Sequence, residues 1–120
     1  MEKHDPNDPV TVYIREASNV APLTKDEQMR LFRELGTESD WNDAQENAAR
    51  RLIESQLPLV VSIAQKHSAS AAPLLELIEQ GNLGLMDAVR SFAKKPTGDF
   101  SAHAATCIEK AITQALPEQK

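Results

Sequence analysis

The sequence is poor in the residues that build several classes of site. Its 120 residues include one Trp, one Tyr, three Phe and one Cys. A single cysteine cannot form an internal disulfide, and the N-terminus has no apolar run long enough for a signal peptide or a membrane span. The sequence therefore predicts a protein of the reducing cytoplasm with no membrane anchor.

Positive charge and catalytic motifs are scarce as well. The chain has 13 Lys and Arg against 18 Asp and Glu, so its formal net charge is −5. Such a chain as a whole does not attract a phosphate backbone, although a local basic face remains possible. The sequence contains no glycine-rich phosphate loop, no G-x-S-x-G and no H-E-x-x-H. We therefore expect no enzymatic activity, no cofactor and no small-molecule substrate.

His103 and Cys107 are a candidate pair for a metal site or an activated thiolate. They lie four residues apart in a helical pattern, so their side chains can approach one another. Two ligands do not make a closed metal site, and no third His or Cys follows at a useful spacing. We therefore favour an inert core cysteine over a metal site.

The apolar residues of the first third recur at helical spacing. Asp8 followed by Pro9 predicts the start of one helix, because proline is favoured at the first helical position. Thr24 and Glu27 predict a capping box at the start of a second helix, which Gly36 then ends. The predicted buried side of this second helix consists of Met29, Leu31, Phe32 and Leu35.

A longer helical pattern starts near residues 40 to 41 and runs to Lys66. Pro58 interrupts it, and an interior proline removes a hydrogen bond and clashes with the preceding turn, so we expect a kink or a break near residues 56 to 57. Residues 67 to 73 are predicted to form a loop. The apolar stripe of the long pattern consists of Ala44, Ala48, Leu52, Leu57, Val60, Val61 and Ala64.

The last two apolar segments are separated by a turn-rich connector, residues 94 to 99. Gly81 and Gly84 interrupt the first of these segments at a cost of about 1 kcal/mol each relative to Ala, which indicates close packing or a break. The second segment ends at Pro117, and its stripe consists of Phe100, Ala104, Cys107, Ile108, Ala111, Ile112 and Ala115. The sequence thus predicts an all-α bundle of about five or six helices, with a flexible N-terminus at 1–7, one domain at 8–117 and a tail at 118–120.

Four segments together carry a family resemblance. They are DPVTVYIREASNVAPLT, RLIESQLPLVVSIAQKH, LLELIEQGNLGLMDAV and FSAHAATCIEKAITQAL. In this order and spacing they resemble bacterial RNA polymerase sigma factors of the sigma-70 family, from about Asp8 to Leu116. The resemblance covers most of the family's second conserved region and the segment just before it, and it does not extend to the later helix-turn-helix domains. LIEQGNLGLMDAV is its most specific part.

The resemblance implies a polymerase-binding surface. In sigma factors the segment around LIEQGNLGLMDAV docks on the coiled coil of the polymerase clamp. Exposed acids and amides around an apolar Met suit a basic partner helix. The alternative is that these side chains are ordinary solvated and core residues of a bundle. The positions that the resemblance assigns to docking are Leu57, Glu76, Glu79, Gln80, Asn82 and Met86.

The resemblance also implies a DNA-facing helix, but one whose chemistry is eroded. Sigma factors melt the promoter −10 element with aromatic rings, each worth roughly 1 to 3 kcal/mol per stacked base, and with basic or amide groups. Thr106 and Cys107 stand where tryptophans are expected, and Glu109 stands where an arginine is expected. The DNA-facing positions are Arg15, His103, Thr106, Cys107, Glu109, Lys110, Thr113 and Gln114.

These expectations combine into one functional hypothesis with two alternatives. The hypothesis is a sigma-factor-like protein that binds core RNA polymerase at the clamp coiled coil and acts in transcription initiation or its regulation, with weak or absent melting of the −10 element. One alternative is a reduced but active sigma factor that binds −10 promoter DNA. The other is a recruited helical interaction module that no longer binds polymerase.

Overall fold

The structure, a computed structural model, describes residues 9–37, 40–67 and 74–116. Within these ranges the chain forms six helices and no strand. The helices are α1 (Pro9–Ser18), α2 (Lys25–Leu35), α3 (Asp43–Ser55), α4 (Leu57–Lys66), α5 (Leu74–Lys94) and α6 (Phe100–Ala115). The all-α prediction is confirmed. The predictions for the N-terminus at 1–7 with Asp8, for loop residues 68 to 73, and for Pro117 and the tail at 118–120 lie outside the described residues.

A side-chain capping box begins α2 and a glycine ends it. The Glu27 N–H donates to Thr24 Oγ1 at 3.0 Å, and the Thr24 N–H donates to Glu27 Oε1 at 2.9 Å. Gly36 follows the helix with φ of 63°, a conformation that favours glycine. The predicted capping box and the predicted helix end are both confirmed.

The start of α3 lies slightly later than the sequence indicated. Asn42 and Gln45 form a second capping box, with reciprocal hydrogen bonds of 2.8 and 2.9 Å. The helix therefore begins at Asp43 rather than at residues 40 to 41. The sequence interpretation missed this cap because Asn and Gln take the places of the more familiar Thr and Glu.

Replacing Thr24 with alanine is expected to lower the free energy of unfolding by about 1 kcal/mol, since it leaves the Glu27 N–H without its side-chain acceptor. Urea denaturation at pH 7 measures this loss. Thr97→Ala is the matched control, because Thr97 is an exposed residue of the connector between α5 and α6. Equal stability of the Thr24 variant and the control would show that the cap contributes nothing.

The same capping box makes stability depend on pH. The hydrogen bond from the Thr24 backbone lowers the pKa of Glu27 below its ordinary value of 4.5. A lowered pKa in the folded state means that the charged carboxylate favours folding. Its contribution is therefore present above pH 4.5 and is lost as the pH falls through the lowered pKa.

The predicted break between the two halves of the long helical pattern is confirmed at Gln56. Pro58 lies in the first turn of α4. Backbone N–H groups in a first turn have no partner within the helix, so the missing N–H of proline costs no helical hydrogen bond there. Gln56 is buried, and its side-chain amide donates to Ser101 Oγ on α6 at 3.2 Å. The residue at the break thus contacts α6.

The glycines of α5 allow close packing and do not break the helix. A Cβ built on Gly84 lies 2.7 Å from the backbone oxygen of Cys107 and 2.7 Å from the Cβ of Ala111, both on α6. A Cβ on Gly81 lies 2.8 Å from Val60 Cγ1 on α4. Of the two explanations that the sequence left open, close packing is correct.

The core centres on three phenylalanines, Phe32, Phe92 and Phe100, whose ring centroids lie 4.8 to 5.5 Å apart. Three stripe residues expected inside are instead exposed, namely Met29, Ala44 and Ala115. The buried stripe of α2 is Gln28, Leu31, Phe32 and Leu35. Those spacings of three and four residues leave Met29 beside the stripe, on the solvent side.

Candidate functional site

The solvent-facing side of α5 carries an apolar patch with acidic neighbours. Leu83 is 53% exposed and Met86 is 41% exposed. Glu76 and Glu79 are exposed on the same helix. Successive spacings of three, four and three residues place these four side chains on one helical face, which we call the α5 outer face. Leu83 was missed in the sequence interpretation, although its spacing to Glu79 and Met86 indicates the same face.

Asn82, Gln80 and Leu57 differ from the other three predicted docking residues. The Asn82 amide donates to the Tyr13 hydroxyl at 3.2 Å, and the Asn82 carbonyl oxygen is buried without a partner among the described residues. Asn82 therefore links α5 to α1. Gln80 is half-buried, and Leu57 is half-buried against the core at the first residue of α4. Only Glu76, Glu79 and Met86 of the six thus lie openly on the α5 outer face.

One cation of α5, Arg90, contacts an aromatic ring. The Arg90 guanidinium carbon lies 4.6 Å from the centroid of the Trp41 ring, within the distance of a cation–π contact. Asp87, also on α5, is exposed. The exposed charged residues of α5 near Leu83 and Met86 are thus the acids Glu76, Glu79 and Asp87 and the cation Arg90, which contacts Trp41.

The predicted DNA-facing side of α6 presents small polar groups that are engaged with the helix itself. The Thr106 hydroxyl donates to the Ala102 carbonyl at 3.2 Å, and the Thr113 hydroxyl donates to the Glu109 carbonyl at 2.9 Å. Lys110 and Gln114 are exposed, as is Arg15 on α1. None of these side chains provides a ring on which a base could stack.

Glu109 holds α6 to the end of α4. Its Oε2 lies 2.6 Å from His67 Nε2, and its Oε1 lies 4.0 Å from Lys66 Nζ. The carboxylate at a position where the resemblance expects an arginine is therefore part of a helix–helix contact. No local pattern in the sequence indicates this contact, since His67 and Glu109 are separated by 42 residues.

His103 and Cys107 form a contact that does not favour metal binding or thiolate chemistry. His103 Nε2 lies 2.7 Å from Ser91 Oγ and 3.7 Å from Cys107 Sγ. Burial, reinforced by the charge of Asp87, raises the pKa of the Cys107 thiol, so the thiol stays protonated at neutral pH. Within the described ranges, no group of three or more His, Cys, Asp or Glu could hold a metal ion.

His103 also fails to present an open ring. It is half-buried, and its ring lies tilted against Phe92 with centroids 5.8 Å apart. A ring that packs on the core and bonds to Ser91 is not free to stack on an unpaired base. Of the residues of α6 predicted to face DNA, His103 and Glu109 are therefore engaged with other parts of the protein. The exposed ones are Thr106, Lys110, Thr113 and Gln114.

Comparison with known proteins identifies the family. Residues 52–120 match the sigma-70 region 2 family, which is more than half of the chain. The chain is similar to the RNA polymerase sigma factors SigA of Listeria monocytogenes, at 39% identity, of a Bacillus species, at 37%, and of Clostridium acetobutylicum, at 35%, each over 113 residues. These alignments cover 94% of this chain and 28 to 29% of each relative.

The chain therefore belongs to the sigma-70 family, and its residues 52–120 correspond to region 2, which confirms the resemblance predicted from the sequence. It spans less than a third of the length of the curated relatives it matches. No helix in the described part of the chain is long and apolar enough to cross a lipid bilayer.

Proposed function

We propose that this chain binds core RNA polymerase at the clamp coiled coil through the α5 outer face and acts in transcription initiation or its regulation. The observation that carries the proposal is the exposed apolar pair Leu83 and Met86 beside Glu76 and Glu79. A patch of this composition suits a partner helix with apolar and basic side chains. Its position in the segment most specific to the family, together with similarity to SigA proteins, supports the same partner.

The second part of the proposal is that the chain melts the −10 element weakly or not at all. The Thr106 and Thr113 hydroxyls are bonded within α6, the Glu109 carboxyl group contacts His67, and the His103 ring is packed on Phe92. Stacking rings and free cations are what an unpaired DNA strand requires. A protein with the first surface and without the second would occupy the clamp as a competitor or an accessory subunit.

The alternative of a reduced but active sigma factor is supported by two exposed cations. Arg15 on α1 and Lys110 on α6 are both open to solvent, and neither forms an ion pair with a described residue. Such cations can neutralise phosphates on a single strand. Two cations provide attraction without base recognition, so this alternative predicts weak, salt-sensitive DNA binding.

A pair of fluorescence anisotropy titrations tests the proposal. The protein, labelled at its N-terminus, is titrated with the core RNA polymerase of Listeria monocytogenes, with SigA of that organism as the positive control. We expect saturable binding to the polymerase. In the second titration, single-stranded −10 DNA at low salt is expected to bind no better than a scrambled strand of equal length. Absence of polymerase binding would overturn the proposal, and tight, sequence-selective DNA binding would establish the active sigma factor instead.

A further inference from the structure

A cavity of about 310 Å³ lies between α2, the C-terminal end of α5 and the start of α6. It shares no residue with the α5 outer face. Its walls are mainly apolar and are formed by Met29, Phe32, Phe92, Ala93, Pro96 and Phe100. Ligand pockets typically start at about 300 Å³, and an apolar cavity of roughly 150 Å³ accepts benzene, so this one has room for about two fused or linked rings.

One polar side chain in this wall is left without a partner. Gln28 is 8% exposed and lines the cavity, yet its side-chain amide forms no hydrogen bond with a described residue. The amide atoms are not fully buried, since the fully buried and unpaired side-chain atoms of the described residues are Trp41 Nε1 and Asn82 Oδ1. An amide that contacts water can exchange that contact for one with a ligand. The Gln28 amide is therefore available to a polar group on a molecule inside the cavity.

The rim of the cavity is basic, in contrast to the acidic chain as a whole. Lys25 and Arg33 lie on the α2 side, and Asp99 lies at the start of α6. Asp99 is already compensated, since its Oδ2 accepts from the Ala102 N–H at 3.0 Å and its Oδ1 lies 3.6 Å from Lys25 Nζ. Arg33 is exposed and forms no ion pair with a described residue. The uncompensated charge at the opening is thus positive.

We propose that this cavity binds a small aromatic organic anion. The rings lie against the three phenylalanines, a hydrogen-bonding group on the ligand meets the Gln28 amide, and the anionic group meets Arg33 at the rim. Apolar walls with a few converging polar groups are the usual composition of such sites. This activity goes beyond the proposed function, because none of its residues takes part in the polymerase-binding surface. The proposed anion is bound and is not chemically converted.

Two fluorescent probes that differ by one charged group test this assignment. 1-Anilinonaphthalene-8-sulfonate has two ring systems, an N–H and a sulfonate, and N-phenyl-1-naphthylamine lacks the sulfonate. Each is titrated into the wild-type protein and into Arg33→Gln, with Arg30→Gln as the matched control, since Arg30 is an exposed arginine of α2 outside the cavity wall. Ala93→Leu places a larger side chain in the cavity. Circular dichroism confirms that each variant is folded.

We expect the sulfonate to bind the wild type and Arg30→Gln equally. Arg33→Gln should bind it about two- to fivefold more weakly, the range of an exposed ion pair, with no change for the neutral probe. Ala93→Leu should abolish binding of both probes. Equal sulfonate binding by Arg33→Gln and Arg30→Gln would overturn the proposal, and this outcome decides the matter even if Ala93→Leu fails to fold. Displacement of the probe by single-stranded DNA would assign the cavity to nucleic acid and would also overturn it.

Discussion

Replacing Gly84 with leucine is expected to lower the free energy of unfolding by about 3 kcal/mol or more. Even the first carbon of a side chain at this position meets the backbone oxygen of Cys107 and the Cβ of Ala111, each at 2.7 Å. A backbone atom cannot rotate away as a side chain can, so α5 and α6 would have to move apart. Gly84→Ala is expected to cost about 1 to 2 kcal/mol, because overpacking outweighs the roughly 1 kcal/mol by which alanine favours a helix.

The control for this prediction is Asp87→Leu, which adds the same side chain to an exposed position of the same helix. It is expected to change the free energy of unfolding by less than about 0.5 kcal/mol. Gly81 provides a second comparison, since its nearest neighbour is the side-chain atom Val60 Cγ1 at 2.8 Å. Val60→Ala removes this atom, so it should reduce the loss of unfolding free energy that Gly81→Ala causes. Urea denaturation measures all of these variants, and a Gly84→Leu protein as stable as the wild type would refute the close contact.

Local signals in the sequence predicted much of this fold. The capping box at Thr24 and the break before Pro58 depend on residues within one or two helical turns, so their chemistry can be interpreted without a tertiary structure. The glycines of α5 indicated close packing or a break, and the structure decides for close packing against α6 and Val60. The prediction that Met29 is buried was wrong because it relied on apolar character alone. The buried side of α2 includes Gln28, and the neighbouring Met29 is exposed.

Contacts between distant helices could not be predicted. The hydrogen bond from Asn82 to Tyr13 spans 69 residues. It gives Asn82 a structural role in addition to the docking role that the resemblance implies. The contact of Glu109 with His67 likewise depends on how α4 and α6 are placed. Both pairs consist of common polar residues whose partners are set by the packing of the apolar core and not by any local pattern.

The second large effect concerns the α5 outer face. Leu83→Ala combined with Met86→Ala is expected to weaken binding to core RNA polymerase by about 30-fold, equivalent to about 2 kcal/mol for removal of a central apolar anchor. Both side chains are already exposed, so their truncation should change the free energy of unfolding by less than about 0.5 kcal/mol. Asn82 is left unchanged because its substitution would also break the contact with Tyr13.

Met29→Ala is the matched control for this loss, since Met29 is 59% exposed on α2 and lies outside the α5 outer face. The most direct measurement is a parallel anisotropy titration of wild type, the double variant and Met29→Ala with core RNA polymerase. We predict saturable binding for the wild type, the same affinity for Met29→Ala and a loss of about 30-fold for the double variant. Equal affinity of the double variant and the wild type would contradict the assignment of the α5 outer face to the polymerase.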